Sequence, residues 1–332
     1  HTEPAIAFAE KGYHILLEKP MAPTEAECIR IAEAAKRNNV ILAVCHVMRY
    51  THYTQKLKEV VASGVIGDVV NLQHLEPVGY WHQAHSFVRG NWRNETESSF
   101  MLLAKSCHDL DWIRYVMGAP CKSLSSFGSL KHFRKEEQPE GAADRCLDCD
   151  VEAECPYSAK QIYLGRLDKG QTGWPIDVLT PDVTKESVMD ALRNGPYGRC
   201  VYACDNDVVD NQVVNMLFDG GRTASFTMTA FNEAGHRKTH IFGTKGELYG
   251  ERLLKQFITG SESKTVETVR EQIETDRAGA ERAAHSLKGV AGTIGATELQ
   301  TCAQALETAI HDKADIETQL TLVGEELKPF AK

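Results

Sequence analysis

No apolar run in these 332 residues approaches the length of a bilayer span, so the sequence predicts no transmembrane helix. A basic excess is missing too. Lys and Arg number 37 against 46 Asp and Glu, a net charge of -9, which argues against a general binder of nucleic acid or anionic membrane. There is no secretory signal segment, and the chain opens on His1-Thr2-Glu3-Pro4 rather than on methionine. No G-x-G-x-x-G opens the chain, so the loop whose amides would hold a dinucleotide pyrophosphate is not found. These absences predict a cytoplasmic chain that begins inside a domain.

What is present is ordinary globular composition, 42% hydrophobic and 25% charged, with length for two or three domains. The ten cysteines carry no mark of secretion, and a chain this long needs no staples. They are expected in a reducing compartment, mostly free or metal-bound.

Hydrophobic periodicity orders the chain. Pro4 to Lys11 reads as a short helix closed by Gly12, and Tyr13 to Leu17 as a buried strand. Thr24 is placed to cap a helix through Lys36, with Glu27 completing a capping box. Val40 to Cys45 is a second buried strand. Helix, strand, helix, strand is the tail of a doubly wound α/β sheet. The pattern then changes to a helix over Tyr53 to Ser63, a strand from Val69, a helix over Thr96 to Met117 and a strand from Lys122. A hairpin follows over Val208 to Ala230, and another over His236 to Tyr249. Together they predict an α+β domain with a mainly antiparallel sheet. Residues 132–204 interrupt it as a polar, cysteine-bearing insertion, expected to be largely irregular and to lack a core of its own. The boundaries expected are 1–48, 49–252, a linker over 253–265, and an all-helical segment over 266–332. That last segment carries seven Lys/Arg and twelve Asp/Glu.

Two stretches carry candidate chemistry in the first part. Glu18-Lys19-Pro20 ends the first strand, and ligands of open α/β sheets collect outside the carboxyl ends of strands. The plain alternative is a Lys-Pro strand terminator. In Lys105-Ser106-Cys107-His108-Asp109-Leu110-Asp111, the predicted helix sets Lys105, His108 and Asp111 at i, i+3 and i+6. Oxidising an alcohol needs a base for the hydroxyl proton, and histidine beside lysine suits it. On spacing alone, a helix with a polar outer face is the favoured reading.

Taken in order, Glu18-Lys19-Pro20, Cys45 to Tyr50 with Gly64-Val65-Ile66-Gly67, Lys105 to Asp111, and Ile241-Phe242-Gly243-Thr244-Lys245-Gly246 resemble the Gfo/Idh/MocA oxidoreductases over about residues 1–250. The resemblance implies a partial Rossmann domain, NAD or NADP as cofactor, and a sugar or polyol as substrate. It implies cofactor contacts by Glu18, Lys19 and Pro20, and catalysis by Lys19, Lys105 and His108. Pro20 is expected to follow a cis bond. The acid that many members carry four residues before the histidine is Ala104 here, and Lys105 is expected to hold the substrate instead. Because the family includes NAD-dependent glycoside hydrolases, that net reaction is the alternative. With no phosphate-binding loop, the chain is expected to bind NAD(H) weakly or not at all. A homo-oligomer formed through the middle sheet is also expected.

In the insertion, Cys146-x2-Cys149-x5-Cys155 with Cys200 could close a tetrahedral zinc site that clips a coreless segment, and free thiols are equally expected. Asp205-Asn206-Asp207 could meet sugar hydroxyls, though turn capping is favoured for each. At the C-terminal end, Ala283 to Ala296 sets small and apolar residues at helical spacing around His285, Lys288 and Gly289. The plain alternative is a surface histidine. The run resembles His-containing phosphotransfer (HPt) domains over about residues 270–330. That resemblance implies a small helical bundle, His285 as phosphoacceptor, Lys288 stabilising the phosphate, and a response-regulator receiver domain as partner. The expected whole is an oxidoreductase fragment fused to a phosphorelay module. The alternative is a signal-transfer protein whose oxidoreductase part is not catalytic.

Overall fold

The computed structural model describes residues 1–233, 236–250, 254–258, 269–270, 272–273, 276–293 and 297–327. By contact clustering the chain divides into two units. The first holds His1–Met48, Leu75–Leu217 and Ser225–His236; the second holds Arg49–His74, Phe218–Ala224 and Arg237–Lys332.

The first unit opens with α1 (Thr2–Glu10), β1 (Ile15–Leu17), α2 (Glu25–Arg37) and β2 (Leu42–Val44). The strands pair in parallel, Ile15 with Leu42 and Leu17 with Val44. Parallel pairing needs a crossover, and α2 supplies it. Its Thr24 hydroxyl accepts the Glu27 N–H at 3.3 Å, as the cap predicts. The Glu27 carboxylate takes the Thr24 hydroxyl hydrogen at 2.9 Å. Ile31, Ala34 and Ala35 form the buried stripe of α2, and Ile31 packs with Leu17 and Ala5. Lys19-Pro20 is cis, and so is Trp174-Pro175.

After α3 (His52–Ala62) come β3 (Val69–Pro77), a π-helical stretch over Gln83–Arg89, α4 (Met101–Ala104), α5 (Cys107–Met117) and β4 (Cys121–Ser129). The single helix expected over Thr96 to Met117 is therefore two. The break falls at Lys105 and Ser106, where Ser106 takes the cap position of α5 at φ -89°, ψ 4°. The Ser106 side chain makes no cap hydrogen bond there. Then follow α6 (Lys185–Asn194), β5 (Asn211–Phe218), β6 (Thr223–Thr229), β7 (Lys238–Gly243), β8 (Gly246–Gly250) and β9 (Leu254–Ile258). Strands β3 to β9 form one seven-stranded sheet in the order β4-β5-β6-β3-β7-β8-β9. β8 pairs antiparallel with both β7 and β9. Residues 254–258, expected as linker, are thus strand; 259–265 lie outside the described residues. β5 turns Val214, Met216 and Phe218 inward, while Val213 and Leu217 face out.

The insertion corrects its expectation. It is irregular in backbone but has a core. Tyr163, Ile176, Val188 and Leu192 are fully buried or nearly so, with Ala84 and Val88 of the π-helical stretch.

In the second unit, α7 (Arg277–Thr293), α8 (Thr297–Asp312) and α9 (Ile316–Leu327) share a separate core. Ala280, Ala284, Leu306, Ile310 and Leu320 lie at its centre. Among the described residues, no helix is long and apolar enough to cross a membrane.

Candidate active site

The first unit gathers the residues predicted for catalysis. Lys19 leaves the carboxyl end of β1, and its ammonium donates to the Ala104 carbonyl at 3.2 Å. That carbonyl ends α4, where main-chain acceptors lack a helical partner. The next residue, Lys105, turns its ammonium to the Glu76 carboxylate at 2.9 Å. Glu76 comes from β3 and is 4% exposed. His108 stands in the first turn of α5, its ring 6.0 Å from that of His46 and nearly perpendicular to it. His46 in turn lies 3.7 Å from the Asp111 carboxylate. So Lys19 and Lys105 meet at the Ala104–Lys105 junction, and His108 stands beside His46 in the helix that follows. Lys105 belongs to the junction and His108 to the helix after it.

Electrostatics tie in a residue the sequence analysis missed. Burial pushes His82 down to about 3, and the positive charges of Lys105, His85 and Lys19 add to the effect. His82 is therefore a neutral imidazole near both lysines at neutral pH. Burial raises the Cys107 thiol, with Lys19 opposing. Burial also raises Cys45, helped by Glu18. Glu76, His46 and His82 carried no local signal. Glu76 is one acid on an alternating strand, His82 sits in a stretch without a motif, and His46 lies in the Cys45 to Tyr50 stretch, which was read for its family likeness and not for its histidine.

The insertion's residues lie elsewhere in this unit. Cys146, Cys149, Cys155 and Cys200 line one cavity of about 260 Å³. Among the described residues, no three His, Cys, Asp or Glu groups stand as a preformed metal site. Asp205 is taken up by Arg93 through two contacts of 2.9 Å and by Arg199 at 2.6 Å. Those guanidinium bonds hold its carboxyl well below the usual range. Asp207 accepts the Glu95 N–H at 2.8 Å. Both acids serve the loop, as the plainer expectation had it.

In the second unit, the His285 side chain is 65% exposed, and its Nδ1 meets the Glu307 carboxylate at 2.7 Å. Lys288 binds the other oxygen of the same carboxylate. Hydrogen bonds from Lys288, then from His285, pull the Glu307 carboxyl below its ordinary value.

Comparison with known proteins identifies the architecture. Residues 58–319 match the C-terminal alpha/beta domain of the Gfo/Idh/MocA oxidoreductase family, and residues 1–46 match its NAD-binding Rossmann fold. The chain belongs to the Gfo/Idh/MocA family. It is 25% identical over 247 residues to "Putative oxidoreductase YteT" of Bacillus subtilis, covering 70% of this chain and 54% of that protein. It is 30% identical over 132 residues to "Myo-inositol 2-dehydrogenase" of Thermotoga maritima, covering 39% and 36%. A solved levoglucosan dehydrogenase, in complex with NADH and L-sorbose, superposes with a TM-score of 0.53 at 20% identity, over 79% of this chain and 55% of that one. The chain thus spans about half the length of the curated relative it matches most extensively here. The family match runs through α7 and α8 into α9, and the comparisons bring no support to a phosphotransfer module there. They bring none to zinc.

Proposed function

We propose that this chain carries the substrate side and the nicotinamide end of an NAD(P)-dependent oxidoreductase acting on a sugar or polyol. The observation that carries the reading is the meeting of Lys19 and Lys105 at the Ala104–Lys105 junction, with His108 in the first turn of the helix that follows. The residues fit a nicotinamide ring: Lys19 stands at the carboxyl end of a parallel strand, the usual ligand position in such sheets. A nicotinamide bound there would supply the hydride acceptor for the alcohol carbon. The chain's own residues do the rest. Glu76 fixes one hydrogen of the Lys105 ammonium and leaves others to donate to a substrate hydroxyl. His108 takes the hydroxyl proton on its imidazole, and His46 and Asp111 stand behind it. Neutral His82 adds a polar neighbour without adding repulsion to the two lysines.

Two further observations support the setting. Leu16 of β1 is 74% exposed and Ile41 is 65% exposed, an apolar surface that the rest of a doubly wound domain would cover. Leu124 and Phe127 of the edge strand β4 are 62% and 71% exposed, which favours pairing with a second copy of the chain.

The test is turnover. Protein carrying a G-x-G-x-x-G strand–loop–helix unit ahead of His1 is mixed with NAD+ or NADP+ and a panel of pyranoses and cyclic polyols. Nicotinamide reduction is expected with at least one member and is expected to be lost in His108→Gln. Glycoside cleavage without net reduction marks the hydrolase reading instead. Equal rates in parent and His108→Gln would remove His108 from the mechanism.

A second reading, phosphoryl transfer through His285, rests on one arrangement. Nδ1 is engaged by Glu307 on an otherwise exposed ring, which directs a nucleophilic lone pair to Nε2, and Lys288 is close enough to balance a phosphoryl group. A phosphorylated receiver domain should label the chain with an acid-labile, base-stable phosphate. Undiminished labelling of His285→Ala would end this reading.

A further inference from the structure

Neither Trp81 nor Trp174 has a part in the chemistry described so far, yet the two rings pack together next to it. Beyond Glu76, strand β3 ends at Pro77, and Gly79 turns the chain at φ 91°. That sign of φ suits a residue with no Cβ. The helical turn Tyr80–His82 follows and carries Trp81 and His82. Asn232 fastens it: its side-chain oxygen accepts the Gly79 N–H at 3.2 Å, and its carbonyl accepts the Tyr80 N–H at 2.8 Å. Trp174 comes from the insertion, ahead of buried Pro175 and Ile176. The Ile176 N–H donates to the Gly173 carbonyl at 2.9 Å, which closes the loop that presents Trp174.

The Trp174 ring lies 5.2 Å from that of Trp81, tilted by 56°. His82 and His85 meet it nearly at right angles, at 5.0 and 5.4 Å. His85 is itself held by the Tyr163 hydroxyl at 2.8 Å and by stacking on Tyr197 at 4.9 Å. With these rings packed against it, Trp174 is still 49% exposed. Tryptophan is on average a highly buried residue. Here a large aromatic surface is braced by its neighbours and half open to solvent. The Arg166 guanidinium sits 4.0 Å over the Trp81 ring, a cation–π contact that brings N–H donors to the same place. His82 ties the surface to the lysines. Its ring is 5.7 Å from Trp81 and 5.0 Å from Trp174, and the charges of Lys105 and Lys19 reach it.

A pyranose has a face of C–H bonds and a rim of hydroxyls. Its C–H hydrogens are slightly positive and suit the negative face of an indole, and its hydroxyls suit a guanidinium. The aromatic surface lies one side chain beyond the lysines, with His82 between. A ring held by Lys105 for oxidation leaves it to a second ring linked to the first. We propose that Trp174 and Trp81 form a second sugar subsite, on which the neighbouring ring of the substrate stacks while Arg166 meets its hydroxyls. The substrate is then a disaccharide or larger glycoside and not a free monosaccharide. This rests on the reading of Lys19, Lys105 and His108 as the oxidation site.

The full chain is titrated by calorimetry with maltose, cellobiose and lactose, and with glucose and galactose. At least one disaccharide is expected to bind on the order of 10-fold more tightly than either monosaccharide, the worth of one aromatic stacking contact. Trp174→Ala is expected to erase that preference while keeping the far-ultraviolet circular dichroism, because the side chain is half outside the core. Trp174→Phe restores an aromatic face and is expected to keep most of it. The preference is also expected in His108→Gln, since stacking needs no proton transfer. Absence of a disaccharide preference in the parent chain overturns the proposal. So does a preference that persists in Trp174→Ala. Binding and turnover fail separately. A Trp174-dependent preference with no nicotinamide reduction in the extended protein upholds the subsite and removes the oxidation reading. Reduction lost in His108→Gln with no disaccharide preference upholds that reading and removes the subsite.

Discussion

A buried lysine ammonium needs a counter-charge, and Lys105 finds it in Glu76 at 2.9 Å, with both side chains largely withdrawn from water. Removing one member of such a pair strands the other. Glu76→Gln is therefore expected to destabilise the protein by about 3–5 kcal/mol and to raise the KM for substrate. Replacing both residues with methionine should return most of the stability, because desolvating an ion pair offsets much of its attraction. Turnover should stay lost. Urea unfolding and steady-state kinetics on the two variants check this; a double variant no more stable than the single one counts against the pair. Lys19 and His108 could be put forward from the sequence because their motifs are local. Glu76 was not. It lies 29 positions before its partner, and strand alternation marks its face but not what it meets.

At the level of elements, the periodic segments α2, α3, β3 and the two hairpins fell close to their expected spans. Each is bounded by a cap, a glycine or a turn that can be read in place. Two expectations failed for the opposite reason. The helix expected through Lys105 breaks at Ser106, although its apolar pattern would run on. The insertion was read as coreless because its apolar residues follow no period. They converge from separate turns, α6 and the π-helical stretch. Leu192, fully buried on α6, tests that core. Leu192→Ala is expected to cost about 2–5 kcal/mol by denaturant unfolding. A loss below about 0.5 kcal/mol, the range of surface changes, would mean that the insertion is only an appendage.

Across the whole molecule, His82 and His85 set a pH response. His82 titrates at about 3 and His85 at about 4, the latter lowered by burial and then by Arg89 and Arg166. Both titrate near 6.5 in the unfolded chain. Above that value neither chain form is charged at these positions, and they add no pH dependence. As pH falls below 6.5, the unfolded chain takes up protons that the folded chain refuses, so stability drops. The loss continues to about 4 for His85 and about 3 for His82. Its slope is at most about 1.4 kcal/mol per pH unit for each histidine. Urea midpoints between pH 7 and pH 4.5 should fall faster in the parent than in a His82→Gln/His85→Gln double variant. Carboxylates titrate alike in both proteins and cancel in the comparison. Equal slopes would show that the two rings are not held neutral.

The bond from Lys19 to Ala104 goes to a main-chain oxygen. One anchor of the lysine is therefore written into the path of the backbone. Drift at residue 104 can exchange one small residue for another without moving the ammonium, within the limit of a site 3% exposed. A substitution to proline at residue 105 would do what no change of the Ala104 side chain could, because it would turn the carbonyl away. Two relatives can thus share this contact of the lysine while differing at the residue whose carbonyl makes it.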